Sequence, residues 1–184
     1  DGAEMTELMH ITAQHFNLIR DDSRDYDIEI DPRTVDREKI DLLRGLGFNR
    51  ISLGIQDFDV AVQQAINRIQ SIEQVSSLVD YIRERSFHSL NFDLIYGLPK
   101  QDENSLTKTL DAVIQLSPDR ISYYNYGHLP ERFLPQRAID RLALPTAEQK
   151  IAMLALITRK LLDAGYVYIG MDHFVKPDDS LAVA

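Results

Sequence analysis

Ile51–Gln56 (ISLGIQ) is the stretch that decides the fold, and two similar stretches flank it in the chain, Ile28–Asp31 (IEID) and Leu90–Tyr96 (LNFDLIY). Each is a short apolar run with a polar side chain on or near its carboxyl end, followed by turn residues and a helix-like segment. A polar or ionisable group in a buried strand is costly unless it is paired or used. The pattern therefore predicts that one polar face holds a ligand, with Glu29, Gln56 and Asp93 on it.

Strand and helix signals alternate from one end of the chain to the other. Strands are predicted at 26–31, 50–56, 89–96, 120–126 and 166–171, and the segments between them are predicted to be helical. This alternation favours right-handed crossovers and a parallel sheet. The fold class is therefore α/β, and residues 1–184 are interpreted as part of a single parallel β/α barrel that is incomplete in this chain.

Local signals predict where several helices begin and which faces they bury. Ser71 with Gln74 and Thr146 with Gln149 form capping boxes, and Asp102 or Ser105 begins the helix that Pro118 ends. Thr34 is the expected cap of a helix over about 35–45. A helix predicted over 3–20 is expected to turn one face inward, made of Leu8, Ile11, His15, Leu18 and Ile19. The helix after Thr146 is expected to bury Ile151, Leu154, Ile157, Leu161 and Leu162.

Composition limits the function classes. The chain has 184 residues, a net charge of −9 and no long basic stretch, which argues against nucleic acid as a partner. It contains no apolar run near 18 residues and no secretion signal at its start, so no membrane partner and a cytoplasmic location are expected. The absence of cysteine excludes disulfides and thiolate metal ligands within this chain, and no HExxH pair is present among the 5 histidines.

Several longer motifs carry a resemblance to a known family. The segments IEIDPR, GFNRISLGIQDF, NRIQS, NFDLIYGLPKQ, NYGHLP and GMDHFVKPDDSLAVA resemble the oxygen-independent coproporphyrinogen III oxidases, radical S-adenosylmethionine (SAM) enzymes of haem synthesis. SLGIQDF and DLIYGLPKQ are shared with related radical SAM proteins, including a haem chaperone. NYGHLP and GMDHF-x-KPDD are more specific and favour the oxidase.

The resemblance implies both cofactors and a set of binding residues. In this family a CxxxCxC loop binds a [4Fe–4S] cluster and a GGGTP segment holds the SAM amino group, and both are expected before residue 1 of this chain. The remaining SAM contacts match five positions here: Glu29, Gln56, Arg68, Asp93 and Gly127, where the family usually has alanine. No catalytic residue is assigned.

These residue types suit SAM, although each also has a structural alternative. Glu29 and Asp93 can accept hydrogen bonds from the hydroxyls and the ammonium of SAM. Arg68 can form a bidentate pair with the SAM carboxylate, and Gln56 can both donate and accept hydrogen bonds. Alternatively, the two carboxylates pair only with a neighbouring basic residue, and Arg68 is a solvated helix end.

The implied reaction converts two propionates of coproporphyrinogen III into vinyl groups with loss of carbon dioxide, and it needs an electron donor for the cluster. Anionic propionates require cations or donors, for which the candidates are Arg132, Arg137, His128, His173 and Lys176; the two arginines are equally well explained as loop charges. Tyr124 faces opposite to Tyr123 and Tyr126, so one of these faces lines a tetrapyrrole cavity or packs in the core.

Three function classes remain: the oxidase, a radical SAM haem chaperone that does not decarboxylate, and a non-radical barrel enzyme with Glu29 and Asp93 as acid and base. An upstream CxxxCxC motif would exclude the third. Under the first, these 184 residues alone are expected to be inactive because they contain no cysteine.

Overall fold

The structure is a computed structural model that describes residues 2–183, and a single six-stranded sheet organises it. The strands are β1 (Asp27–Ile30), β2 (Arg50–Gln56), β3 (Ser89–Tyr96), β4 (Arg120–Asn125), β5 (Val167–Gly170) and β6 (His173–Val175). The α-helices are α1 (Gly2–His15), α2 (Arg37–Gly45), α3 (Val60–Ala65), α4 (Ile72–Glu84), α5 (Glu103–Leu116), α6 (Ala147–Asp163) and α7 (Ser180–Val183). Two short 3-10 helices, Leu134–Ala138 and Arg141–Ala143, lie between β4 and α6.

The first four strands are parallel neighbours, as the alternating pattern predicts. The sheet order is β1-β2-β3-β4-β6-β5, and helices connect β1 to β2, β2 to β3 and β3 to β4. The carboxyl ends of β1 to β4 therefore share one edge of the sheet, which is where ligands bind in parallel α/β folds.

The fifth predicted strand does not extend the parallel sheet directly, which corrects the sequence-based topology. β5 pairs with β6 in antiparallel fashion, and β6 pairs in antiparallel fashion with β4. The sequence gives only a weak sign of this hairpin, because Met171 at the first turn position is not one of the glycine, asparagine or aspartate residues that such turns usually contain. β6 has only 3 residues, too few to reveal an alternating pattern.

The two faces of the sheet differ in polarity. One face carries the buried apolar residues of the core: Ile51, Leu53, Ile55, Leu90, Phe92, Leu94, Ile121, Tyr123 and Phe174. The helices pack against this face and add Ile40, Val75, Val79, Ile82, Leu106, Leu110, Val113, Met153 and Ile157. Burial of this apolar area holds the sheet and helices together and leaves the opposite face of the sheet for polar side chains.

Most predicted helix starts are confirmed. Ser71 with Gln74, and Thr146 with Gln149, form reciprocal capping boxes at α4 and α6. Asp102 is the N-cap of α5, and Ser105 completes a similar box. The prediction for α2 is wrong, since Asp36 rather than Thr34 caps it by accepting a hydrogen bond from the Lys39 amide.

The predicted inward face of α1 is wrong, and that of α6 is right at only two of its five residues. α1 ends at His15 and buries no residue, so Leu8 and Ile11 lie exposed. α6 buries Ile157 and Leu161 as predicted, together with Met153 and Leu156, but Ile151, Leu154 and Leu162 are exposed. Apolar residues occur around most of the α6 circumference, so spacing alone does not select the buried side. Within residues 2–183 no helix is long and apolar enough to cross a membrane.

Candidate functional site

The polar face of the sheet brings together side chains from strands far apart in sequence. The strand register places two rows across this face: Glu29, Ser52, Asn91 and Arg120 in one, and Gly54, Asp93, Ser122 and His173 in the other. Ser52, Asp93 and Ser122 are buried. Polar groups on a buried sheet surface require partners or a ligand, so these rows form the candidate site.

Asp93 lies in the centre of this face and is held by neutral donors. Ser52 Oγ donates to Asp93 Oδ2 at 2.6 Å, and Asn91 Nδ2 donates to Asp93 Oδ1 at 2.9 Å. Asn91 also donates to Ser52 Oγ and accepts from Ser122 Oγ. Within residues 2–183 no lysine or arginine forms an ion pair with Asp93, which removes the alternative that it serves only to pair with a basic neighbour.

Glu29 lies on the edge strand β1 and faces the same side as Ser52. It is exposed and makes no hydrogen bond or ion pair with the part of the chain that the structure describes. Neighbouring parallel strands lie about 4.8 Å apart, which puts β1 and β3 at about 10 Å. Glu29 and Asp93 are thus close enough to contact opposite sides of one small ligand.

Gln56 ends β2 in a strained backbone conformation. Its φ is 66°, in the left-handed region that non-glycine residues rarely adopt, and the pairing with β3 shifts register between Gly54 and Gln56. A β-carbon added at Gly54 would lie 3.0 Å from Gln56 Nε2, so the Gln56 amide lies over Gly54 on the polar face. Strain of this kind is concentrated at functional sites.

Arg68 shares this position over Gly54. Its Nη2 donates to the Gly54 carbonyl at 2.7 Å, and its Nη1 donates to Asp31 Oδ2 at 3.0 Å. Its side chain is 21% exposed, and its Nε is buried without a partner among the described residues. The interpretation of Arg68 as a solvated helix end is therefore wrong, since Asp31 and the Gly54 carbonyl fix the guanidinium against the sheet.

The surroundings of Arg68 affect two titrating groups. Burial lowers the pKa of Arg68 and outweighs the opposing effects of Asp31 and Glu29. The pKa of Asp31 falls to about 2, mainly because Arg33 donates to it, with a smaller contribution from Arg68. Asp31 is thus a strong anchor for Arg68, although the pattern of polar strand tips did not single it out.

Sequence reasoning also missed Gly54, which makes room for both side chains. The β-carbon that another residue would carry there lies 3.0 Å from Arg68 Nη2 and from Gln56 Nε2. A glycine in the middle of a buried strand is the available signal, because it weakens the strand and often marks a close approach.

A second missed group, Asp57, joins the loops that follow β2 and β3. Its carboxylate is fully buried and accepts from Thr109 Oγ1 at 2.7 Å, Gln101 Nε2 at 2.6 Å and the Asp59 amide at 2.6 Å. Gln101 Oε1 in turn accepts from the backbone amides of Gly97 and Leu98. Burial raises the pKa of Asp57. This network fixes the backbone directly after Gln56.

Gly127 and two predicted substrate-side residues lie apart from this cluster. Gly127 is exposed in the loop after β4, and its carbonyl accepts from Gln136 Nε2 at 2.9 Å. Arg137 is exposed and donates to the Pro130 carbonyl, as expected of a loop charge. Lys176 pairs with Asp119 at 3.0 Å, beside the amino end of β4. Lys176 therefore lies at the wrong edge for the candidate site.

Tyr123 and Tyr124 lie on opposite faces of the sheet, as their alternation along the strand predicts. Tyr123 is buried in the core, whereas Tyr124 is 42% exposed on the polar face. Tyr126 lies beyond β4 and contacts His128 through a 3.1 Å hydrogen bond. Among residues 2–183 no cluster of three or more potential metal ligands is present.

Comparisons with known proteins identify the family of this chain. The Radical SAM superfamily matches residues 2–113. The oxygen-independent coproporphyrinogen III oxidase of Pseudomonas aeruginosa is 55% identical over 181 residues, covering 98% of this chain and 39% of that protein. The enzymes of the same name from Salmonella typhimurium and Escherichia coli K12 are 46% and 45% identical over 182 residues, covering 99% of this chain and 39% of each protein.

Solved structures agree with these similarities. The coproporphyrinogen III oxidase from Escherichia coli, described as a radical SAM enzyme, superposes with a TM-score of 0.95 and 44% identity, covering 100% of this chain and 42% of that one. Methylornithine synthase superposes with a TM-score of 0.57 at 18% identity, covering 87% of this chain and 44% of that one, which shows the fold alone. The chain spans about two fifths of the length of the curated relatives above.

Proposed function

This chain belongs to the radical SAM superfamily, and from that membership we propose that it is the central part of an oxygen-independent coproporphyrinogen III oxidase. The proposed reaction is the oxidative decarboxylation of two propionates of coproporphyrinogen III to vinyl groups. The observation that carries the proposal is the match along 98% of the chain to a protein of that name. The polar face of the sheet supplies the place for a ligand.

SAM fits the residues on this face. Gln56 and Arg68 converge over Gly54, where only glycine leaves both side chains unhindered. Arg68 holds a half-buried positive charge beside Gly54, which suits an anionic group such as the SAM carboxylate. Glu29 is free to accept from the ammonium or hydroxyls, and Asp93 presents a carboxylate whose orientation Ser52 and Asn91 fix.

The binding mode differs in one respect from a simple bidentate pair. Two of the five Arg68 N–H groups already donate to Asp31 and Gly54, so the guanidinium contributes its remaining N–H groups and its charge. Gly127 contributes only through its backbone, in a loop that Gln136 holds.

The [4Fe–4S] cluster has no ligand in this chain, because the 184 residues contain no cysteine. When bound, the cluster and SAM supply the radical chemistry, with electrons from a separate donor. The residues of this chain orient SAM, hold the substrate and exclude water from the face where they meet.

The test uses the full-length enzyme, reconstituted under anaerobic conditions with iron, sulfide, reductant and SAM, and given coproporphyrinogen III. The expected products are protoporphyrinogen IX and two equivalents of carbon dioxide for each substrate consumed. Tight haem binding with SAM cleavage but no decarboxylation would instead assign a haem chaperone. Lack of SAM binding by the intact, folded enzyme would contradict both.

A further inference from the structure

His173 occupies the same row of the polar face as Asp93, although the two residues are 80 positions apart in the chain. The β2–β3 register pairs Gly54 with Asp93, the β3–β4 register pairs Asp93 with Ser122, and the β4–β6 register pairs Ser122 with His173. Partners across a ladder project to one side of a sheet. At a strand spacing of about 4.8 Å, His173 lies about 10 Å from Asp93 across that face.

The imidazole ring of His173 is held in one orientation. Its Nδ1 forms a hydrogen bond with the Met171 carbonyl. A carbonyl oxygen can only accept, so Nδ1 carries the proton and Nε2 projects away from the turn. The ring also meets Tyr124 edge-on, with centroids 6.0 Å apart and planes at 84°. Nε2 makes no hydrogen bond or ion pair with any residue in the range 2–183.

A strained turn places this ring. Met171 and Asp172 join β5 to β6 with φ values of 49° and 65°, both left-handed, where the usual residues are asparagine and glycine. The Asp172 carbonyl accepts from the Tyr123 amide at 2.9 Å, which fixes the turn to β4. Unfavourable backbone of this kind persists where surrounding contacts impose it, and it is concentrated at ligand-binding positions.

The other basic side chains on this face are already neutralised. Arg50 pairs with Asp25 at 2.6 Å, and Arg120 pairs with Asp179 at 2.8 Å. On these strands, therefore, His173 is the one basic residue of the polar face without an acidic partner inside the described range.

We propose that His173 binds a carboxylate side arm of the substrate, through Nε2 of its protonated ring, on the polar face that also holds Asp93. This proposal rests on the proposed function, because it assumes a tetracarboxylate substrate on that face. A carboxylate gains a charged hydrogen bond from the imidazolium, while Nδ1 keeps its bond to Met171. Tyr124 lies beside the same site and offers an aromatic surface to a tetrapyrrole ring.

The test measures binding of coproporphyrin III, the stable oxidised tetracarboxylate, to the full-length enzyme by fluorescence quenching. Its tetramethyl ester serves as a ligand that lacks the carboxylates, and both are titrated in the same detergent-containing buffer. His173→Gln should weaken binding of the acid by about tenfold or more, leave the ester unchanged and leave SAM affinity unchanged. His88→Gln, a histidine next to the amino end of β3, is the matched control and should change neither.

Equal weakening of the acid and the ester by His173→Gln would indicate a structural role only and would overturn the proposal, as would unchanged binding of both. If His173→Gln fails to fold, His173→Phe retains the ring shape beside Tyr124 and answers the same question. Failure of the wild-type enzyme to bind the acid or to decarboxylate coproporphyrinogen III would instead contradict the proposed function, which separates the two failures.

Discussion

Arg68 lies directly over Gly54, with its Nη2 at 2.7 Å from the Gly54 carbonyl oxygen and 3.0 Å from the place where a β-carbon would stand. The two residues are 14 positions apart, with Gly54 in β2 and Arg68 in the loop between α3 and α4. Their contact fixes a half-buried cation at the carboxyl end of the parallel sheet, next to the strained residue Gln56.

Gly54→Ala should weaken SAM binding several-fold while changing stability little. The added methyl group forces the ends of Arg68 and Gln56 apart by a few tenths of an ångström, and both are flexible enough to move. Isothermal titration of SAM into the full-length enzyme measures the affinity, and thermal melting measures stability. Gly45→Ala is the control, because a β-carbon there meets nothing within 4 Å. Equal SAM affinity in wild type and Gly54→Ala would show that this crowding is unimportant for the ligand.

Arg68→Ala should weaken SAM binding by about 1.5–3 kcal/mol without unfolding the intact enzyme, the usual contribution of a charged hydrogen bond. The change removes the cation and its unused buried Nε. Arg33→Ala is a matched control, since Arg33 also pairs with Asp31, at 2.7 Å, but has no contact with Gly54. Unchanged SAM affinity by calorimetry, with circular dichroism showing an intact fold, would remove Arg68 from the site.

Asp31 should contribute acid-sensitive stability. Its folded pKa is about 2 and its ordinary value is 3.8, so the folded state favours the ionised carboxylate. The contribution is fully present above about pH 4 and is lost as the pH falls through about 2. Because the group is partly exposed, we expect about 1 kcal/mol at neutral pH. Melting temperatures of wild type and Asp31→Asn should differ at pH 7 and converge near pH 2; a constant difference would contradict this linkage.

Asp57→Asn should lower the free energy of unfolding by about 1–3 kcal/mol, because an amide NH2 group would face hydrogen-bond donors. Three donors converge on this buried carboxylate, from Thr109, Gln101 and the Asp59 amide. Asp59→Asn is the control, since asparagine caps α3 as well as aspartate does. Urea denaturation of both variants measures the difference. Equal stability of Asp57→Asn and wild type would show that the network tolerates a neutral amide.

Residues 1–184 produced alone should not cleave SAM. They contain no cysteine, so they cannot supply the thiolates that bind an iron–sulfur cluster. The exposed apolar side chains of α6, including Ile151 at 70%, should also promote self-association of the isolated piece. Deoxyadenosine formation above a no-protein control, after anaerobic reconstitution with iron, sulfide, reductant and SAM, would refute the first expectation. A monomer in sedimentation velocity would refute the second.

Short-range signals in the sequence predicted most of the framework. β2 and β3 begin and end where their apolar runs do, at Arg50–Gln56 and Ser89–Tyr96. The capping boxes at Ser71 and Thr146 form as predicted. Each of these features depends on residues within a few positions of one another, so the sequence contains the whole interaction. The parallel order of the first four strands follows from the same regular alternation.

The sequence by itself determined which residues are polar at the strand ends and, through its motifs, which family the chain resembles. Only the tertiary structure decided that Arg68 lies over Gly54 and that Gln101 donates a hydrogen bond to Asp57 across 44 positions. It also decided that the β5–β6 hairpin brings His173 into the same row of the polar face as Asp93. The physical reason is that strand register and loop contacts are set by burial of the opposite, apolar face. That burial is non-directional and leaves no local pattern at the polar residues it brings together.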